Sequence, residues 1–159
     1  MTSSGSRIGR HQIPGLLLIM VPESRDGIEA VAGMSAEQAV SGDLGWFDLY
    51  EFLRDVVFRD LVRPELLTPE AERDTELLGR CAEFSENLLL NSTQPVASAV
   101  FYQLVEPLYA SEELLVAAIP LMQPEMLRVT LEDMAVDRLS APARERLAGY
   151  LHQDPAPDA

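Results

Sequence analysis

The chain contains no lysine; all twelve of its basic residues are arginine. That usage fits a genome biased towards GC-rich codons better than it fits any chemistry. Positive charge is also scarce beside negative charge. Twelve arginines stand against 26 aspartates and glutamates, for a formal net charge of -14. Such a surface repels phosphate backbones and anionic membrane, which argues against direct binding to nucleic acid or lipid. It attracts a basic protein and speeds its arrival. There is one cysteine, Cys81, so an intramolecular disulfide is excluded and a reducing cytoplasm is the simplest setting. Histidine is nearly absent. His11 and His152 fall in segments read as loose ends, and no His-x-x-x-His or Glu-x-x-His spacing occurs. The usual helical zinc and di-iron patterns are therefore missing. Long apolar runs are missing too. Leu16 to Val21 is too short for a membrane span and shorter than a usual signal-peptide core. Arg7 and Arg10 ahead of it resemble a charged leader, but Pro14-Gly15 argues against a continuous leader helix.

What is present suggests one helical domain. A chain of 159 residues is most simply one domain with a sizeable core. Leu and Ala dominate its apolar residues, and both lose little on entering a helix. The expected fold is all-α: an irregular helical bundle, or a short stack of antiparallel hairpins of HEAT-like type. An extended arm is expected at the N-terminus. Residues 1–24 are read as this loose arm, 25–152 as the helical domain and 153–159 as a disordered tail. Capping-box spacings at Asp26–Glu29 and Ser35–Gln38 predict short helices at about 27–32 and 36–40. Trp46, Leu49, Tyr50, Leu53, Val56, Val57 and Leu61 keep the three-four spacing of one face, predicting a helix over 46–62 that Arg63-Pro64 stops.

The clearest folding logic is a helical hairpin, Pro69 to Glu106. Thr68 is the expected cap of a helix opening at Pro69, with a seam of Leu77, Cys81, Phe84 and Leu88. Asn91 to Gln94 makes the break. The return helix from Pro95 carries almost no charge, which predicts burial on most sides. Ser111, Pro124 and Ser140 mark the starts of three further helices.

Chemistry is harder to find. No serine sits in a Gly-x-Ser-x-Gly setting, and there is no phosphate loop or dinucleotide fingerprint. Cys81 on an apolar seam reads as inert packing rather than a nucleophile. Glu83 and Glu86 share a helix face at a spacing that suits a bridging cation, but a solvated face is the simpler reading. Trp46 and Tyr50 continue an apolar face, so core packing is preferred to a binding anchor. No catalytic, metal or cofactor-binding residue is assigned, and an enzyme is not expected. The acidic clusters are the most informative surface feature. Glu70, Glu72, Asp74 and Glu76 crowd one helix start, and Glu112 and Glu113 another. Helix capping and solubility account for them without a partner. The functional alternative is a docking edge for a basic protein.

The stretch from Tyr50 to Asp133 carries Leu77-Leu78, Glu83-Phe84-x-Glu86-x-Leu88-Leu89 and Val105-Glu106-Pro107-Leu108. In these it resembles a class of small uncharacterised bacterial all-helical proteins of HEAT-like type, some of which look like immunity proteins for secreted toxins. The resemblance implies a helical-pair fold and an immunity-type role; with the acidic surface and the missing catalytic motifs it leads to the expectation of a non-catalytic inhibitor of a basic partner such as a toxin nuclease. It carries over no functional residue. Two other readings remain: an adaptor subunit held by the apolar arm Leu16 to Val21, and a small-ligand binder or enzyme with a pocket lined by Met122, Met126 and Met134. The oligomeric state has no signature in the sequence.

Overall fold

The fold is an all-α helical bundle, seen in a computed structural model that describes residues 6–151. The expected tail, 153–159, and His152 lie outside the described residues. No strand occurs among the described residues; a lone parallel bridge joins Ile8 to Ser92.

The N-terminal segment departs most from expectation. Residues 13–20 are neither loose nor extended: they form helix α1 (Ile13–Met20), packed against α3 (Ala36–Ser41) and α5 (Thr75–Asn91). The reason is spacing. Ile13, Leu17 and Val21 fall four residues apart on one face and are all fully buried. Pro14 sits in the first turn, where its missing N–H is no loss, so Pro14-Gly15 starts this helix instead of preventing it. Helix α2 (Arg25–Ala32) follows and ends at Gly33, whose φ of 71° is left-handed and suits glycine alone.

Trp46 lies ahead of the next helix rather than within it. Its Nε1 donates to the Ala39 carbonyl at 3.1 Å, and its ring meets Phe47 and Phe52 at 5.7 and 6.1 Å. Asp48 caps helix α4, accepting from the Glu51 amide at 2.9 Å. This helix is continuous over residues 49–67 and carries a π-helical stretch, Phe52–Val62. It runs on past Pro64, contrary to the expected stop. A proline ring collides with the carbonyl four residues back, and the wider π pairing upstream leaves room for it. A second π-helical stretch, Phe101–Val105, ends α6, residues 94–105, and Pro107 follows in a separate 3-10 turn, Glu106–Ala110.

Helix α5 opens at Thr75, not at Pro69. Glu70–Glu72 is a separate 3-10 turn, and Asp74, rather than Thr68, caps α5, accepting from the Leu77 amide at 3.0 Å. Thr68 instead donates back to the Pro64 carbonyl at 2.8 Å. Arg73 explains the offset. Its guanidinium donates to the carbonyls of Glu65, Leu66 and Thr68 at 2.9–3.2 Å and closes the end of α4. The seam residues Leu77, Cys81, Phe84 and Leu88 are buried as expected, and so are Ala99, Val100 and Val105 on the return helix. Helices α7 (Glu112–Ala118), α8 (Pro124–Asp133) and α9 (Ala141–Leu151) complete the bundle. Ser111 and Ser140 cap α7 and α9 as their positions predict.

Candidate functional site

Carboxylates do unusual structural work in this protein. Glu86 is 5% exposed and belongs to α5, yet both its oxygens accept from the first amides of α8, Glu125 and Met126, at 3.0 Å each. It is therefore not on a solvated face, and it does not act with Glu83, which is exposed. Glu29 of α2 accepts from the Ala36 amide at the start of α3 at 2.9 Å. Glu65 of α4 accepts from the Asp74 amide at the start of α5 at 2.9 Å. Glu112 of α7 accepts from the Ser140 amide and, at 2.9 Å, from its hydroxyl, at the start of α9. Each carboxylate meets unpaired amide donors at the positive end of a helix dipole. Part of the acidic excess is thus tertiary clasping between helices.

That sorting divides the six acidic residues expected at a partner surface. Asp74 and Glu112 are occupied by helix starts. Glu72 and Glu76 are exposed and do not line the groove that the others share. Glu70, Glu112 and Glu113 come together, as one edge of a groove of about 690 Å3 between α7, α9 and the 70–72 turn. Its floor is apolar, from Val116, Ala117, Pro120 and Leu121, and its far wall is Arg146 and Tyr150 of α9. Arg73 also reaches the groove, but its guanidinium is held by backbone carbonyls. Sequence reasoning missed Arg146 and Tyr150. The signal was their four-residue spacing beside the buried pair Ala143 and Leu147, which places both on the border of the α9 core face.

A second cavity, of only about 40 Å3, lies where α4 to α8 converge. Met122 and Met126 line it, beside Cys81, Ser85 and Leu104; Met134 does not. Space of that size suits a water or two rather than an organic ligand. Burial pushes the Cys81 thiol up to about 12. The thiolate is the reactive form, so the native protein is expected to resist alkylation at pH 8 and to label only on unfolding. A stability consequence follows. The folded thiol is held neutral while the unfolded thiol ionises near its ordinary value, so stability falls as pH rises from about 9 towards 12, by about 1.4 kcal/mol per pH unit. The Cys81→Ala variant loses that part of the slope. Equal alkaline slopes in urea titrations of the two proteins would contradict the burial.

Among the described residues no group of three or more His, Cys, Asp or Glu side chains is placed to hold a metal ion, and no helix is long and apolar enough to cross a membrane. Compared with protein-family models, curated proteins and solved structures, the chain shows no match.

Proposed function

We propose that this protein is a non-catalytic interaction protein that binds a basic protein partner, in the manner of an inhibitor or immunity protein facing a toxin. The observation that carries the reading is the groove rimmed by Glu70 and Glu113. Its apolar floor offers contact area, its acidic edge selects positive charge, and Tyr150 adds an aromatic wall of the kind that dominates binding energy. The net charge of -14 supplies long-range attraction. Association is steered by the field and completed when partner Arg or Lys side chains meet the two carboxylates.

The adaptor reading is less well supported. The arm it relies on is helix α1, and Ile13, Leu17 and Val21 are engaged within the chain's own core.

The test uses the full chain and the products of its neighbouring genes, co-purified at about 50 mM and about 500 mM salt, a range that shortens the screening length several-fold. The double variant Glu70→Ala/Glu113→Ala is expected to weaken capture at low salt by tenfold or more while leaving thermal stability within about 0.5 kcal/mol. Glu112→Ala is not a fair probe, because it also frees the start of α9. Capture that ignores both salt and the double variant would remove the groove from consideration.

A further inference from the structure

Helix α1 leaves one face unused. From Leu16 to Met20 it is apolar at every position, and a helix of that kind is normally buried on most sides. Here only the side carrying Ile13, Leu17 and Val21 enters the core. Leu16 and Ile19, three residues apart, share the outer side, with Met20 at its border. Leu16 and Met20 are half-buried. Ile19 is 80% exposed, the highest value for a large apolar side chain among the described residues. The next highest is Leu90, at 60%. It belongs to the helix alongside. α1 runs antiparallel along α5, because Ile8 donates to the Asn91 carbonyl at 2.7 Å and Glu23 pairs with Arg80 at 2.7 Å. Leu90 is therefore level with the start of α1.

Two observations point to what covers this face. The first is charge. The chain has 26 acidic residues, yet none precedes Glu23, which makes the N-terminal segment its longest acid-free stretch. Two copies of a chain of net charge -14 repel each other least where they approach through that segment. The two ends of the face also differ in sign. Arg7 and His11 are exposed ahead of α1, Asp26 is exposed beyond it, and none of the three makes an ion pair among the described residues. The neighbouring charges are engaged: Arg10 lies over the Phe47 ring at 5.5 Å, Glu23 is held by Arg80, and Arg25 is paired with Glu37 at 2.6 Å. A helix laid antiparallel on its own copy sets each positive start against the other's negative end and opposes the two helix dipoles. The second observation is shape. Gly15 is four residues from Ile19, on the same outer side. Nothing within the chain calls for glycine there: a Cβ would meet only Val40 Cβ, at 3.8 Å, an ordinary contact. Glycine weakens a helix relative to alanine. A hollow at 15 and a protrusion at 19 are exchanged by a two-fold axis, so each fills the other.

We propose that this protein forms a weak symmetric dimer through the outer face of α1, the two copies of the helix antiparallel, with Ile19 of each seated over Gly15 of the other. Leu16 and Met20 flank that contact. An eight-residue helix is about 12 Å long, too short alone to fill the roughly 800 Å2 per partner of a standard stable interface. The dimer therefore forms at about 100 μM rather than at nanomolar concentration. It is independent of the groove rimmed by Glu70 and Glu113, which is built from α7, α9 and the 70–72 turn.

Sedimentation equilibrium of the full-length chain, from about 10 μM to about 1 mM, brackets that concentration. Expected is a monomer–dimer equilibrium that tightens between about 20 mM and about 300 mM salt, as the repulsion between two chains of charge -14 is screened. Capture of a basic partner by the groove has the opposite salt dependence. Ile19→Glu places a charge in an apolar contact and weakens the dimer by about tenfold or more. Gly15→Ala fills the hollow and also weakens it, while its melting temperature stays equal or rises because helix propensity improves. Lost association in that variant is then not lost folding. A chain that stays monomeric across the whole range, or a dimer indifferent to both substitutions, overturns the proposal. A dimer that weakens with salt and is lost in Glu70→Ala/Glu113→Ala overturns it too, since the contact is then head-to-tail, between the basic N-terminal segment and the acidic groove. So does a monomer that co-sediments with phosphatidylcholine vesicles and is released by Ile19→Glu, which assigns the face to a lipid surface.

Discussion

A chain beginning at Arg25 is expected to have no cooperative unfolding transition. Deleting residues 1–24 removes Ile13, Leu17 and Val21, each fully buried. Full burial of such side chains is worth about 1.5–3 kcal/mol apiece, so the loss is about 5–9 kcal/mol. That equals or exceeds the whole stability of many domains, which lies at about 5–15 kcal/mol. The deletion also strips cover from the sides of α3 and α5 that α1 packs against. The point variant Leu17→Ala grades the effect, with an expected cost of about 2–5 kcal/mol. Urea unfolding followed by circular dichroism measures both. A truncated chain that melts like the intact one would show that α1 is dispensable. The same result matters for any assembly assay: loss of a complex on N-terminal truncation reports lost folding before it reports a lost contact.

Replacing Glu86 with alanine should cost about 3 kcal/mol, as two amides of α8 lose charge-assisted acceptors in a buried setting. For a domain of this size that lowers the melting temperature by about 6–12 °C. Glu86→Gln is expected to fall between alanine and wild type. The amide keeps one acceptor for one of the two N–H groups but turns an N–H2 towards the other. Glu83→Ala, three residues away and exposed, should change stability by no more than about 0.5 kcal/mol. Amide exchange sharpens the test, since Glu125 and Met126 should lose protection first in Glu86→Ala. If Glu83→Ala and Glu86→Ala prove equivalent, the clasp between α5 and α8 is not formed.

Much of the helix pattern is legible in the sequence because its signals are local. Ser35, Ser111 and Ser140 each sit one residue before a helix and each accept from an amide three residues on. The seam of Leu77, Cys81, Phe84 and Leu88 follows from spacing alone. The failures have one common source: the deciding partner is distant in the chain. Pro69 looks like a helix start until Arg73 is seen closing α4, which displaces the real start to Thr75. Glu86 has the composition of a surface residue, and only the arrival of α8 buries it. Pro64 looks like a stop because local rules count α pairing, while the π stretch changes the count. The candidate site was legible in half. Glu70, Glu112 and Glu113 converge, whereas Glu72, Asp74 and Glu76 do not join them, and Arg146 and Tyr150 required the docking of α9.

The four carboxylate clasps all point the same way along the chain. Glu29 serves α3, Glu65 serves α5, Glu86 serves α8 and Glu112 serves α9, so the acceptor always precedes the helix it receives. A ribosome delivers this chain from its N-terminus at about 5–20 residues per second. Each of these helix starts then emerges after the group that will hold it has already been made. A nascent chain halted after α7 leaves Glu86 and Glu112 facing water, where a carboxylate is well solvated, and no orphaned amide is stranded. In these four clasps the acceptor is synthesised before the amides it receives, so losing the C-terminal helices strands carboxylates that water can solvate, while losing the N-terminal ones strands amides.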